Sequence, residues 1–178
     1  LDSFSWNIVH AFATMDAEVV IVPGRLEVSD VTTLLQSLKP THIVLGPGPG
    51  RPEQSNLTMA FANAALAGIT PPLLGICLGH QAIGLAAGWT LGPSEYGAVH
   101  GVPDGILHGN QHQLMTRYHS LALTPTNNLL TVTSTDAATN RLVMALAHPN
   151  RPVYGVQYHP ESAGSVNGLQ VFADFLAQ

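Results

Sequence analysis

A single cysteine lies between an apolar run and the start of a helical pattern. Cys77 is the chain's one cysteine, so it can form neither an internal disulfide nor a multi-cysteine zinc site. The surrounding sequence LLGICLGHQ (residues 73–81) has the pattern strand, Gly-x-Cys-x-Gly turn, helix, which is that of a nucleophile elbow with sulfur in place of the serine oxygen. A helix N-terminus carries partial positive charge that favours a thiolate. We therefore predict that Cys77 is a nucleophile rather than a buried filler.

His159 is the predicted base for this nucleophile. It follows the alternating run VYGVQY (residues 153–158) and precedes Pro160 and Glu161, which places it where a parallel strand ends. The Glu161 carboxylate can accept a hydrogen bond from the far ring nitrogen and so hold the imidazole in one tautomer. Its rival among the nine histidines is His80, whose position on the first helical turn after Cys77 favours a packing role.

A glycine- and proline-rich segment follows another predicted strand. The sequence LGPGPGRP (residues 45–52) indicates a rigid loop with exposed backbone N–H groups, which can stabilise an oxyanion or hold the polar end of a substrate. It lacks the Gly-Lys-Ser/Thr ending of a phosphate-binding loop. The histidines at positions 100, 108, 112 and 119 match no common zinc spacing, so we predict no metal.

The first half of the chain alternates between helical and strand-like patterns. Asp2 or Ser3 could cap the first helix, and Ser29 could cap the second. The predicted helices cover residues 4–12, 31–38, 56–67 and 78–87, and the predicted strands cover residues 17–23, 41–45 and 72–76. This alternation predicts an α/β fold in which an open, mostly parallel, doubly wound sheet carries helices on both faces.

The second half is richer in short strands and indicates a more antiparallel arrangement. The strands are predicted at residues 105–108, 129–133, 142–146 and 153–157, and a closing helix at residues 166–176. With no linker or repeat, residues 1–178 are predicted to form one domain. A doubly wound sheet opens with a central strand, but this sequence opens in a helical pattern. We therefore expect the first strand to be missing from it, and the natural polypeptide to carry roughly 5 to 10 residues before Leu1.

Composition excludes some classes of partner. Only 10% of residues are charged, with six Lys and Arg against eleven Asp and Glu, so no basic stripe is available for a nucleic acid backbone. No apolar run approaches the ~20 residues that cross a bilayer, and the N-terminus lacks the pattern of a secretory signal. We predict a cytoplasmic protein that binds neither nucleic acid nor membrane.

Five segments together resemble the class I (triad) glutamine amidotransferases, and within that family the small glutaminase subunit of anthranilate synthase or aminodeoxychorismate synthase. They are DSF (residues 2–4), LGPGPGRP (45–52), GICLGHQAIG (75–84), RYHSL (117–121) and VQYHPES (156–162). They occur in the family's order over nearly the whole chain. Three features depart from the family pattern: no apolar-Ile-Asp-Asn strand precedes DSF, Val102 stands where the family's Met-His-Gly-Lys segment has lysine, and six Lys and Arg are few for a subunit surface.

The resemblance implies a flavodoxin-like fold and a glutaminase reaction without a cofactor. Cys77 would attack the glutamine side-chain amide and form a γ-glutamyl thioester, while His159 moves protons and Glu161 orients it. Backbone N–H groups of Gly48 and Leu78 would form the oxyanion hole. The residues implied to hold glutamine are Gly48, Gly50, Gln81, Ser120 and Leu121. The ammonia released would pass to a chorismate-binding synthase subunit or fused domain.

Two other functions are possible on the same scaffold. A non-catalytic amidotransferase-like module could bind a partner or small ligand, but the loss of Cys77, His159 or Glu161 that would favour it has not occurred. A cysteine hydrolase or peptidase would give Gln81 and the Ser120–Leu121 pair no reason to occur together. We therefore predict a glutaminase, while the sequence leaves open whether the final product is anthranilate, aminodeoxychorismate or a related compound.

Overall fold

The computed structural model describes residues 3–24 and 31–178. The proposed caps Asp2 and Ser29, and the side chain of Ser3, lie outside what it describes. The helices are α1 (Ser3–Ala13), α2 (Val31–Leu38), α3 (Asn56–Ala67), α4 (Leu78–Ala86) and α5 (Leu169–Leu176), with a short 3-10 helix at Pro52–Gln54. The strands are β1 (Ile43–Leu45), β2 (Leu73–Ile76), β3 (Thr90–Pro93), β4 (Val99–His108), β5 (Gln111–His119), β6 (Leu121–Thr124), β7 (Thr131–Asp136), β8 (Val143–Ala147) and β9 (Val153–Val156).

Seven strands form the main sheet, in the order β1-β2-β9-β8-β7-β4-β5, and β3 pairs with β6 in a second sheet. The β1–β2 and β2–β9 pairs are parallel, whereas the ladder from β9 through β8, β7 and β4 to β5 is antiparallel. Ile76 at the end of β2 lies opposite Val156 at the end of β9. The parallel pairing therefore brings the residues that follow these two strands to the same edge of the sheet.

Helices cover both faces of the sheet, as the sequence predicts. Leu73 and Leu74 of β2 are both fully buried but belong to different hydrophobic clusters, because successive strand side chains point to opposite faces. On one face, Phe12 of α1 and Phe172 of α5 pack together with ring centroids 4.9 Å apart. On the other face, small alanines of α3 and α4 allow these helices to lie close to the strands. The predicted α/β architecture with an antiparallel second half is confirmed.

The predicted strand at residues 17–23 is wrong. That segment follows α1 without joining either sheet, and the side chains of Val19, Val20 and Ile21 are 36%, 61% and 36% exposed. A strand needs a hydrogen-bonded neighbour, and within the described residues β1 pairs on one side only, with β2. The strand expected before Leu1, which would lie beside β1 in the sheet, stays a prediction.

Three other elements start two or more residues later than predicted, and one of them is the strand expected at residues 41–45, which begins at Ile43. The strand expected at residues 129–133 begins at Thr131, because Leu129 N donates to Asn127 Oδ1 and holds a bend before it. The helix expected at residues 166–176 begins at Leu169, since Asn167 has a positive φ of 54° that ends any regular path through it. Among the described helices, none combines the length and apolar character needed to cross a bilayer.

Candidate active site

Cys77 lies at the tip of a sharp turn between β2 and α4. Its backbone has φ 52° and ψ −98°, a region that costs energy for any residue with a Cβ. Its N–H donates to the Val156 carbonyl at 2.9 Å, which ties the turn to β9. A Cβ added to Gly75 would lie 2.5 Å from the carbonyl carbon and oxygen of Gly79, so the turn closes only because residue 75 lacks a side chain. This is the strand–turn–helix geometry that the motif predicts.

Gly79 allows α4 to lie directly against the end of β1. A Cβ at this position would stand 2.1 Å from the Leu45 carbonyl oxygen. The loop after Leu45 is thereby brought to the start of α4, where a Cβ on Gly48 would lie 3.4 Å from Leu78 Cδ2. The two residues expected to form an oxyanion hole are neighbours, and Leu78 is the first residue of α4, where a backbone N–H has no partner within the helix.

His159 and Glu161 form a buried pair beyond the end of β9. His159 Nδ1 and Glu161 Oε1 are 2.6 Å apart, and the two side chains are 2% and 0% exposed. The His159 backbone is held on both sides, since its N–H donates to the Thr116 carbonyl at 2.8 Å and its carbonyl accepts from Ser165 Oγ at 2.6 Å. The ring of Phe4, on α1, packs on the imidazole with centroids 4.5 Å apart.

The surroundings of His159 favour its protonated form. Burial by itself lowers the pKa of this imidazole, but hydrogen bonding and charge from Cys77 and Glu161 outweigh burial and raise the pKa to about 9. Because Nδ1 is directed to Glu161, Nε2 is the ring nitrogen left for chemistry. Nε2 is buried and makes no hydrogen bond of normal geometry to a described residue, although it lies close enough to Cys77 for the sulfur to raise the pKa of the ring. At neutral pH the ring is therefore an imidazolium with one N–H committed to a carboxylate.

His80 is unsuited to acid–base chemistry. It is fully buried, and burial lowers its pKa to about 3, so the ring is neutral at physiological pH. Its ring packs against β9, where a Cβ on Gly155 would lie 3.0 Å from His80 Nδ1. This environment agrees with the packing role expected for His80.

The end of β5 brings the RYHSL segment to the nucleophile. Cys77 Sγ lies 3.8 Å from the Tyr118 carbonyl oxygen. Ser120 is exposed, and its carbonyl accepts from Ser94 N at 2.9 Å. The Leu121 carbonyl accepts from Gln81 Nε2 at 3.4 Å. Of the residues implied to hold glutamine, Gln81 and Leu121 thus meet near Cys77, and Ser120 is next to Leu121 in the chain.

Gly50 has a role in its own loop. Its φ is +80°, and a Cβ there would lie 2.1 Å from Gln54 Oε1. That same oxygen accepts from Arg51 N at 2.9 Å and fixes the entry into the 3-10 helix. Gly50 therefore shapes the chain beyond Gly48, and its expected contact with glutamine stays a prediction.

Three buried polar residues of the hydrogen-bonded network that reaches Cys77 were not selected as site residues from the sequence: Gln157, Arg117 and His119. Gln157 is 0% exposed; its Nε2 lies 3.7 Å from Cys77 Sγ, and its Oε1 accepts from Gln81 Nε2 at 3.0 Å. Arg117 forms an ion pair with Asp104 and donates from Nε to His119 Nε2 at 3.1 Å. The sequence signal that could have identified Gln157 is its place in the otherwise apolar run at the end of β9, since a buried amide implies hydrogen-bond partners.

A cavity of about 770 Å³ adjoins Glu161 on the side of the loop that follows it. None of the residues implied to hold glutamine lies in its walls, which are supplied by Pro160, Glu161, Ser162, Ala163, Ser165, Asn167, Gly168, Leu169 and Gln170. We therefore do not assign this cavity to the substrate. Among the described residues, no group of three or more His, Cys, Asp and Glu side chains could hold a metal ion.

Comparison with known proteins finds a matching family model, similar sequences and a similar solved structure. The family model of class-I glutamine amidotransferases matches residues 1–178. Anthranilate synthase component 2 of Azospirillum brasilense is 35% identical over 183 residues, covering 98% of this chain and 91% of that protein. Aminodeoxychorismate synthase component 2 of Escherichia coli is 32% identical, covering 98% and 95%. A crystal structure of a putative GMP synthase subunit from Thermoplasma acidophilum superimposes with a TM-score of 0.81 at 18% identity over 99% of this chain and 88% of that one, which shows a shared fold.

Proposed function

The chain belongs to the class I glutamine amidotransferase family, and we propose that residues 1–178 form a glutaminase domain that hydrolyses L-glutamine through a Cys77 thioester. The observation that carries this proposal is the meeting of a strained cysteine elbow with a buried His159–Glu161 pair at the ends of two adjacent parallel strands. The products are glutamate and ammonia. In this proposal Cys77, His159 and Glu161 act as nucleophile, acid–base and orienting carboxylate.

The first half of the reaction forms the thioester. The Cys77 thiolate attacks the side-chain carbonyl carbon of glutamine, and the oxyanion that develops accepts hydrogen bonds from the N–H groups of Gly48 and Leu78. As the tetrahedral intermediate collapses, the His159 imidazolium gives its Nε2 proton to the departing amide nitrogen. The C–N bond breaks, ammonia leaves, and the γ-glutamyl group remains on sulfur. His159 is then neutral and held in one tautomer by Glu161.

The second half restores the enzyme. Neutral His159 takes a proton from water, whose oxygen attacks the thioester carbonyl carbon. The second intermediate collapses by breaking the C–S bond, which releases glutamate and returns Cys77 as a thiolate beside a protonated His159. The raised pKa of His159 fits this ion-paired resting state.

We propose that the ammonia is used by a chorismate-aminating synthase subunit or fused domain. Support comes from the relatives, which are named as component 2 of anthranilate synthase and of aminodeoxychorismate synthase. Co-purifying the chain with its partner, and comparing amination driven by glutamine with amination driven by ammonium salts, tests both parts of the proposal. A complex that aminates chorismate with ammonium salts but releases no glutamate from glutamine would contradict the glutaminase assignment.

Glu161→Gln is expected to lower kcat for glutamine hydrolysis by about 100-fold, less than the loss of the nucleophile. The pKa of His159 is raised, so in the wild type kcat/KM falls as pH rises through about 9 and the imidazolium is lost. Glu161 contributes to raising that pKa. The alkaline limb of the variant is therefore expected at lower pH, and a pH series of initial rates measures the shift.

Glu95→Gln is the matched control for this prediction. Glu95 makes an exposed ion pair with Arg141 at 3.4 Å, and surface pairs of this kind contribute little. Its pH profile should coincide with that of the wild type. A Glu161→Gln variant as inactive as one lacking Cys77, or one with an unmoved alkaline limb, would show that Glu161 does not act by orienting and charging His159.

A further inference from the structure

The buried side-chain amide of Gln157 connects Cys77 to helix α4. Gln157, just beyond β9, is 0% exposed and lies between Cys77 on the elbow and Gln81 on the first turn of α4. Its backbone is fixed, because its N–H donates to the Met144 carbonyl at 2.9 Å. Burying a side-chain amide is costly unless both of its ends find partners. Both ends of the Gln157 amide have partners: Oε1 accepts from Gln81, and Nε2 faces the Cys77 sulfur.

The direction of these hydrogen bonds follows from the Leu121 carbonyl, which can only accept. Gln81 must therefore turn its Nε2 toward that carbonyl, at 3.4 Å, and toward Gln157 at 3.0 Å. Gln157 must then present Oε1 to Gln81, which leaves its own Nε2 facing Cys77 Sγ at 3.7 Å. The chemistry of the acceptor thus determines the orientation of both amides.

The same carbonyl is held from its other side. His119 Nδ1 lies 2.8 Å from Leu121 O and must donate to it, since its Nε2 accepts from Arg117 Nε at 3.1 Å. His119 is accordingly neutral, and burial, which outweighs its hydrogen bond to Leu121, lowers its pKa to about 4. The ion pair between Arg117 and Asp104 holds the Arg117 guanidinium in place beside His119. The Leu121 carbonyl, which orients the side chains of Gln81 and Gln157, is therefore held by a neutral His119 at physiological pH.

We propose that Gln157 is a further functional residue of this site, which donates a hydrogen bond to the Cys77 sulfur and holds Gln81 with its oxygen toward the substrate. A donor to sulfur stabilises the thiolate more than the thiol, because a hydrogen bond to a charged acceptor is the stronger one. The thiolate is the attacking group when the thioester forms and the leaving group when it is hydrolysed, so the contact assists both steps. This inference rests on the proposed glutaminase function.

The second consequence concerns recognition of the amino acid. With Nε2 committed to Gln157 and Leu121, Gln81 has Oε1 as the atom that can meet a ligand. An amide oxygen accepts from an ammonium group and does not bind a carboxylate. Gln157 therefore sets Gln81 to select the α-ammonium end of glutamine.

The test replaces Gln157 with methionine, which has nearly the same length but cannot donate to sulfur. The rate of Cys77 alkylation by iodoacetamide is followed against pH, because only the thiolate reacts. In Gln157→Met the midpoint of this profile is expected to move alkaline by about 0.5 to 1 pH unit. Glutamine hydrolysis in complex with the partner should show kcat lowered about 10-fold and KM raised about 5-fold, since Gln81 loses its orienting acceptor.

Gln157→Leu is the second variant, so that a failure of one to fold leaves the other to measure. Gln170→Met is the matched control, because Gln170 is exposed and its Nε2 bonds Asp174 one turn along α5 at 2.8 Å. An alkylation midpoint that stays at the wild-type pH in a folded Gln157 variant would overturn the inference, whatever its turnover. Wild-type protein that does not hydrolyse glutamine would instead refute the proposed function, and the alkylation shift would still be measurable.

Discussion

Cys77→Ser is expected to abolish glutamine-dependent amination, with a loss of about 10⁴-fold or more, while the partner continues to work with ammonium salts. Serine has nearly the same shape, but a hydroxyl is a much weaker nucleophile than a thiol and is far harder for a neighbouring histidine to activate. The partner's own chemistry needs only ammonia and is untouched. Glutamate release, and product formation with each nitrogen source, give the two rates to compare.

Cys77→Ala serves as the companion variant for this experiment. It removes the nucleophile without leaving a hydroxyl, so it should match Cys77→Ser in both assays. Both variants retain a residue with a Cβ at the positive φ of 52°, so neither adds backbone strain. If ammonium-dependent activity fell as far as glutamine-dependent activity, the substitution would have damaged the complex, and Cys77 would not be identified as the nucleophile by this result.

Gly79→Ala is expected to destabilise the protein by about 2 to 4 kcal/mol and to lower glutaminase activity in the molecules that remain folded. The new Cβ would stand 2.1 Å from the Leu45 carbonyl oxygen and 2.7 Å from Leu45 Cβ. Both atoms belong to β1, so the helix must move away from the sheet. That movement separates Leu78 from Gly48, and the proposed oxyanion hole opens.

Gly92→Ala is the matched control for Gly79→Ala. A Cβ at Gly92, on β3, meets nothing within 4 Å, so the same chemical change should alter the free energy of unfolding by less than about 1 kcal/mol. Urea unfolding of both variants measures the difference. Equal stability of the two alanine variants would show that α4 does not need a glycine where it meets β1.

Local sequence signals located the elements that carry the site. The apolar run before Cys77 and the helical pattern after it predicted β2 and α4 almost to the residue, because strand, turn and helix there depend on neighbouring residues. The run at residues 17–23 has equally strong β-propensity and forms no strand. Propensity describes a residue's fit to a pleated surface, whereas a strand also requires a partner that may be far away in the chain.

By itself, the sequence determined which groups are available for chemistry and how near neighbours in the chain are arranged. Glu161 follows His159 by two residues across a proline, so the carboxylate was expected to reach the imidazole, and the two groups lie 2.6 Å apart. The family motifs led equally directly to Cys77. Contacts of this kind span a few residues, and backbone geometry alone largely determines them.

Only the tertiary structure determined which distant residues meet in the candidate site and which of its histidines carry charge. β2 and β9 become neighbours through sheet pairing, and the contact between Gln157 and Cys77 spans 80 residues of chain. The pKa of His159 rises to about 9, while burial lowers that of His80 to about 3. Two histidines of identical chemistry diverge because desolvation and the distance to negative groups depend on the packed arrangement of residues that are distant in the sequence.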